Sequence, residues 1–195
     1  MPALRPAPAL PDAAAALLLI DIQQGFLDPR WGQRNNPQAE QRAAELLHTW
    51  RDVAAPIYHI QHLSLELGSS LGAGQPGAAF QGLVQPLAHE AVIIKHVNSA
   101  FIGTDLEARL RGEGITQLVI AGLTTDHCVS TTTRMAGNLG FRVWLVGDAA
   151  ATFERTAADG RTFTAQAIHD IHLASLDGEF ARVVESAEVL RGLGA

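Results

Sequence analysis

QLVIAGLTTDHCVSTTTRMAGNLGFRVWLV, from Gln117 to Val146, is the stretch that decides how this chain folds. Its ends, Gln117 to Ala121 and Arg142 to Val146, are short apolar runs rich in β-branched and aromatic side chains, and they read as buried strands. Cys128 to Leu139 between them has helical spacing. Two strands that are apolar on both faces and flank a helix imply a parallel pair joined by a right-handed crossover. The same alternation continues outward. Ala16 to Ile20, Pro56 to Gln61 and Ala91 to Ile94 read as further buried strands. Gln38 to Arg51 places Ala43, Leu46, Leu47 and Trp50 on one helical face, and Thr104 to Arg111 opens with a Thr cap before Leu106 and Leu110. Arg161 to Leu173 is a last helical segment. The expected architecture is α/β, a parallel sheet covered by helices on both faces.

With 195 residues, 47% hydrophobic and 17% charged, the chain can bury one sizeable core, so a single domain is expected over residues 14–195. Residues 1–13 are rich in Pro and Ala and read as a flexible N-terminal arm. The net charge of −6, with no run of Lys or Arg, argues against a nucleic-acid partner. Ala14 to Ile20 is too short to span a bilayer and leads into Asp21 and Ile22 without a small-residue cleavage site, so no membrane anchor or secretory leader is expected. A single cysteine excludes an intramolecular disulfide and multi-thiolate metal sites, as is usual in a reducing compartment, and the expected location is cytoplasmic. SLELGSSLGAGQPGAAF, Ser64 to Phe80, is too rich in Gly, Ser and Pro for helix or strand. It reads as a long loop, either a passive excursion or a binding loop, lid or interface arm, and its place after the second strand favours function.

In an open parallel sheet, ligands gather beyond the carboxyl ends of the strands. Three reactive side chains stand there: Asp21 after the first strand, Lys95 after the third, and Cys128 after the GLTTDHC turn. Thirteen of the fourteen basic residues are arginine, so Lys95 is the only lysine. Either one lysine is left over among fourteen basic residues by chance, or a compact ammonium is kept where a planar guanidinium would not substitute. A thiol attacks as its thiolate, and a helix N-terminus is expected to lower the pKa of Cys128. Asp21 suits general acid and base work, and Lys95 would balance charge between the two. Backbone N–H groups of the turn can hold an oxyanion. Asp126 and Thr125 read more simply as helix caps.

IDIQQGF around Asp21, IIKHVNSAF around Lys95 and VIAGLTTDHCVSTT around Cys128 resemble, in order and spacing, the three signatures of the isochorismatase-like cysteine hydrolases. The likeness runs from about Ala16 to Val189. It implies a Rossmann-like three-layer sandwich with a six-stranded, mainly parallel sheet, a homodimer or homotetramer, and a catalytic triad of Asp21, Lys95 and Cys128. It also implies a non-proline cis peptide between Leu123 and Thr124, with the N–H groups of Thr124 and Cys128 as the oxyanion hole.

The presence of Cys128 favours acyl chemistry on an amide over the vinyl ether cleavage of true isochorismatases. Nicotinamidases carry an Asp-x-His metal motif near strand two. Here the strand reads YHIQHLSLE, with His59 and His62 on opposite faces and no aspartate before either, so no metal and no cofactor are expected. His169 and His172, three apart on a helix, read as packing residues, and His127 as a neighbour of the nucleophile outside the triad. The stretch DHCVSTTTRMAGNLGFRVWLVGDAAATF, with RNNPQAE and LASLDGEFA, resembles the metal-free branch that includes streptothricin hydrolase-like amidases. Gln23, Phe26, Trp31, His62, Asn98 and Phe101 are the candidates for binding substrate; Phe26, Trp31 and Phe101 read equally well as core, and Asn98 with Ser99 as loop polar groups. The expected reaction is cysteine-dependent hydrolysis of a carbon-nitrogen bond in a small-molecule amide or lactam. The alternatives are isochorismatase-type hydrolysis led by Asp21, and an inactive redox or ligand-binding module built on a low-pKa Cys128. The first turn reads DIQQGF without GxGxxG, which argues against dinucleotide binding.

Overall fold

A computed structural model describes residues 11–12 and 14–193. Six strands, β1 (Ala16–Ile20), β2 (Ile57–His62), β3 (Ala91–Lys95), β4 (Gln117–Leu123), β5 (Arg142–Ala151) and β8 (Arg182–Val184), form one sheet in the order β3-β2-β1-β4-β5-β8. Every neighbouring pair is parallel. The hairpin β6 (Arg155–Thr156) and β7 (Thr162–Phe163) stands apart from it.

Side chains alternate along β1 between two cores. Leu17 and Leu19 pack with Trp50, Trp144 and Val189, under α1 (Ala39–Asp52) and α5 (Ser186–Gly192). Leu18 and Ile20 pack with Leu106, Val129, Ala136 and Leu176, under α2 (Leu106–Gly112), α3 (Ser130–Asn138) and α4 (Ala165–Leu176). The three-layer expectation holds, and the sheet is parallel throughout. Among the described residues no helix is long and apolar enough to cross a membrane. The arm expected over residues 1–13 lies outside the described residues apart from Pro11 and Asp12.

Three segment boundaries differ from the reading of the sequence, each for a local reason. The helix expected from Cys128 is preceded by a π-helical turn, Thr125–Val129, that runs directly into α3. The helix expected from Arg161 starts at Ala165, because Thr162 and Phe163 pair with β6 and Thr164 caps α4 by accepting the Ala167 N–H. Thr104 lies outside α2: its hydroxyl donates to the Ala100 carbonyl, and Asp105 takes the N-cap position.

The long loop is confirmed as irregular but is anchored. Leu71 is buried against Phe26 and Phe153, the Gln24 N–H donates to the Ala79 carbonyl, and Gly77 lies so close to the Gly25 turn that a Cβ would fall 2.9 Å from the Gly25 Cα. Leu65 and Leu67, nearer the tip, are exposed.

Candidate active site

The chain winds β1, β2, β3 outward one way and β4, β5, β8 the other, so the strand order reverses between β1 and β4. That is the crevice where open α/β sheets place ligands. Asp21 leaves β1 there with φ of 50°, a left-handed conformation that Asp tolerates better than bulky residues. Gly122, paired with Ile20, has φ of 128°, and a Cβ would lie 2.1 Å from the Ile20 carbonyl oxygen. The close approach of β4 to β1 therefore needs glycine. The next peptide bond but one, Leu123–Thr124, is cis, and the π turn then delivers Cys128 beneath β3.

Lys95 comes from the edge strand β3, two strands from Asp21, a gap of about 10 Å between backbones. Its long side chain crosses β2 to close it. Nζ lies 2.6 Å from Asp21 Oδ2, 3.2 Å from Cys128 Sγ and 3.0 Å from His62 Nδ1. Asp21 and Lys95 are 0% exposed and Cys128 is 8% exposed. Oδ2 of Asp21 is taken up by the Lys95 ion pair, and Oδ1 has no hydrogen-bond partner among the described residues. Lone pairs of Asp21 thus remain available for a proton from the thiol.

Burial raises the Asp21 pKa, opposed by the Lys95 ammonium. Burial first, and then the Asp21 carboxylate, push the Cys128 thiol up to about 12. This corrects the expectation of a lowered thiol pKa. Cys128 sits inside a π turn rather than at a free helix end, and desolvation with a neighbouring anion outweighs the dipole and Lys95. His62, half-buried, is lowered to about 4 by burial and then by Lys95.

The candidate binding residues divide. Asn98 is exposed, and its Oδ1 lies 3.8 Å from Cys128 Sγ, at the open side of the nucleophile. Phe26, Trp31 and Phe153 form a ring cluster with centroids 5.1, 5.5 and 6.3 Å apart. That cluster includes Leu123, the residue leading into the nucleophile turn, so it flanks the site. Phe101 is a correction: its ring stacks on Phe141 and packs against the sheet core. Ser99 is buried and accepts the Phe101 N–H, an ordinary loop contact. Gln23 is the second correction. It is 0% exposed; Oε1 accepts the His62 N–H at 2.9 Å, and Nε2 donates to the carbonyls of His62 and Ala78 at 3.0 and 2.9 Å. Its buried amide ties the end of β2 to the long loop at Ala78 and does not face a substrate.

An isochorismatase domain model matches residues 15–188. The chain belongs to the isochorismatase family. It is a hydrolase of the three-layer α/β type. Over 175 residues it is 43% identical to the isochorismatase family protein YrdC of Bacillus subtilis, covering 90% of this chain and 94% of that one. A streptothricin hydrolase of Streptomyces noursei is 34% identical over 146 residues, which is 73% of this chain and 51% of that protein. A crystal structure of an isochorismatase-family hydrolase from Chromobacterium violaceum superposes with a TM-score of 0.93 at 50% identity, covering 97% of this chain and 99% of that chain.

Behind the nucleophile of this isochorismatase-family chain lies a polar wall that sequence reading missed. Asp126 is not a helix cap. It accepts from the Thr152 hydroxyl and Arg155 Nε, and those partners hold its carboxyl down at about 2 against the opposing effect of burial. Thr125 is no cap either: its hydroxyl meets His169 Nδ1 at 2.8 Å. Asn36, with φ of 41°, donates to the carbonyls of Gly147 and Ala150, where the β4–β5 register shifts. Only the Asn-Asn pair in RNNPQAE hinted at this, since Asn tolerates positive φ. His127 points outward, and His172 bonds its own helix at Ile168, so the two histidines of α4 do not converge.

Proposed function

We propose that this isochorismatase-family hydrolase cleaves the carbon-nitrogen bond of a small-molecule amide or lactam through a thioester on Cys128. The observation that carries the reading is the buried cluster in which one ammonium, Lys95, touches both a carboxylate and a thiol. Because the thiol holds its proton at neutral pH, the thiolate forms during attack. Asp21 takes the proton as Sγ adds to the carbonyl carbon, and Lys95 balances the charge. The N–H groups of Thr124 and Cys128 hold the oxyanion, as the family resemblance implies. Collapse breaks the C–N bond, and Asp21 hands the proton to the departing amine. Water then adds to the thioester, giving its proton to Asp21, which returns it to sulfur as the acid leaves. The narrow exposure of Cys128, with the Asn98 amide oxygen 3.8 Å from its sulfur, suits a small substrate. The similarity to a streptothricin hydrolase supports the same chemistry.

A metal does not fit this reading. Asp21, His62 and Cys128 bring ligand-type atoms within 4.8 Å of one another, but the Lys95 ammonium already contacts all three, and a second cation there would be repelled. The redox-module alternative is less favoured, since burial and the Asp21 carboxylate raise the Cys128 thiol rather than lower it. Isochorismatase-type hydrolysis keeps one supporting observation, the raised pKa of Asp21, which suits a proton donor.

An amide and lactam panel scored by amine release, with intact mass of the protein, tests the reading. Wild type is expected to release amine and to carry an acyl adduct on Cys128; Cys128→Ala is expected to lose about 10⁴-fold or more in kcat. Turnover that survives Cys128→Ala transfers the chemistry to Asp21 and overturns the thioester.

A further inference from the structure

An ammonium has three N–H donors and no acceptor. Lys95 is 0% exposed, so bulk water does not reach it. Two of its donors face the reacting partners Asp21 and Cys128; the third faces His62 Nδ1 at 3.0 Å. Since Lys95 only donates, Nδ1 must be the unprotonated nitrogen, which fixes His62 as the neutral Nε2–H tautomer. The ring is placed from behind. His62 ends β2 directly beside Lys95 on β3, and the buried Gln23 amide grips both its backbone N–H and its C=O.

We propose that His62, clamped by Gln23, is a positioning residue that aims the Lys95 ammonium at Asp21 and Cys128 by accepting its third N–H. The inference rests on the acyl-transfer reading for its kinetic consequence only; the geometry stands apart from it. With the third donor satisfied, the other two are directed at the carboxylate and the sulfur. Without it, the ammonium has an unsatisfied buried N–H and can turn about Cε–Nζ to share its donors unequally between Asp21 and Cys128. Protonating His62 would have the same effect with a second cation added. The groups facing the ring are Lys95 at the end of β3, His96 just after it, Asp21 beyond β1 and Cys128 from the π turn, and the proximity of Lys95 and His96 with burial opposes that proton.

The test pairs two substitutions. In His62→Asn the amide oxygen stands near the Nδ1 position and can accept the same N–H, whereas His62→Leu cannot. His62→Leu is expected to lose about tenfold to hundredfold in kcat with KM little changed, and His62→Asn to recover most of that loss. Because Lys95 is the only lysine, lysine labelled with ¹⁵N at Nζ gives a single side-chain signal. That signal is expected near its wild-type position in His62→Asn and displaced in His62→Leu. Wild-type kcat and an unmoved signal in folded His62→Leu would overturn the proposal, as would a loss confined to KM and shared by both variants. Should His62→Leu not fold, His62→Gln, whose amide reaches past the Nδ1 position, replaces it. If wild type turns over no amide, the proposed function fails, and the Lys95 signal still decides this inference.

Discussion

Cys128 shows how far a residue's type and its surroundings can pull apart. A lone cysteine after a tight turn reads as an activated thiolate, yet burial and the Asp21 carboxylate push it up to about 12. Its reactivity toward a reagent that brings no general-base geometry should then be low at neutral pH. The rate of iodoacetamide alkylation is expected to keep rising with pH to about 10 without a plateau, since the reactive fraction is thiolate. A plateau near neutrality, measured by intact mass against time, would show a low-pKa thiol instead. Lys95 is the opposite case. Its singularity among thirteen arginines pointed at its role, and the structure gives the reason: a planar guanidinium could not sit among three acceptors at 2.6 to 3.2 Å.

Among elements, the strut that ties α1 to the edge of the sheet is built on Glu90, just before β3. Its side chain is 3% exposed and takes Arg51 from α1 at 2.7 Å, with His59 of β2 at 2.8 Å; it also accepts the Leu87 N–H. Hydrogen bonds from Arg51, Leu87 and His59 overcome burial and lower its pKa from 4.5 to about 2. A depressed carboxylate pKa contributes stability that is present above about 4.5 and lost as pH falls through about 2. Glu90→Gln is therefore expected to cost about 2 kcal/mol at pH 7. In urea unfolding, the gap between variant and wild type should close as pH is lowered across that window. A gap independent of pH would place the loss in packing rather than charge. The strut was not legible in the sequence, and neither were two elements near the site. The π turn is held by a distant partner, Thr125 with His169, and the strands of the β6–β7 hairpin are only two residues each, too short for a periodic signal.

For the whole molecule, β1 is the shared wall of two cores. Leu17 and Leu19 face Trp50 and Trp144, while Leu18 and Ile20 face the side that holds Cys128. Loss of one core strips the other of its wall, so the two should unfold together. Tryptophan emission, dominated by the two fully buried rings Trp50 and Trp144, reports on one core. Exposure of the single thiol to a colorimetric disulfide reagent reports on the other. The urea midpoints of the two signals are expected to coincide; thiol exposure at clearly lower urea would reveal a separately opening site.

The sequence by itself determined the alternation of strand and helix, the three reactive residues and their order, and the family, because periodicity and motif chemistry are local properties of contiguous residues. Ala16–Ile20 was legible to the residue, and Asp21, Lys95 and Cys128 stood out as types found at strand ends. Only the tertiary structure decided the strand order with its switch point between β1 and β4, the three-residue β8, the use of Gln23 as a clamp rather than a substrate ligand, and the raised thiol. Each of these depends on which distant groups come within a few ångströms and how much water they exclude. Desolvation and hydrogen-bond partnership are properties of the packed chain, and no window of sequence carries them.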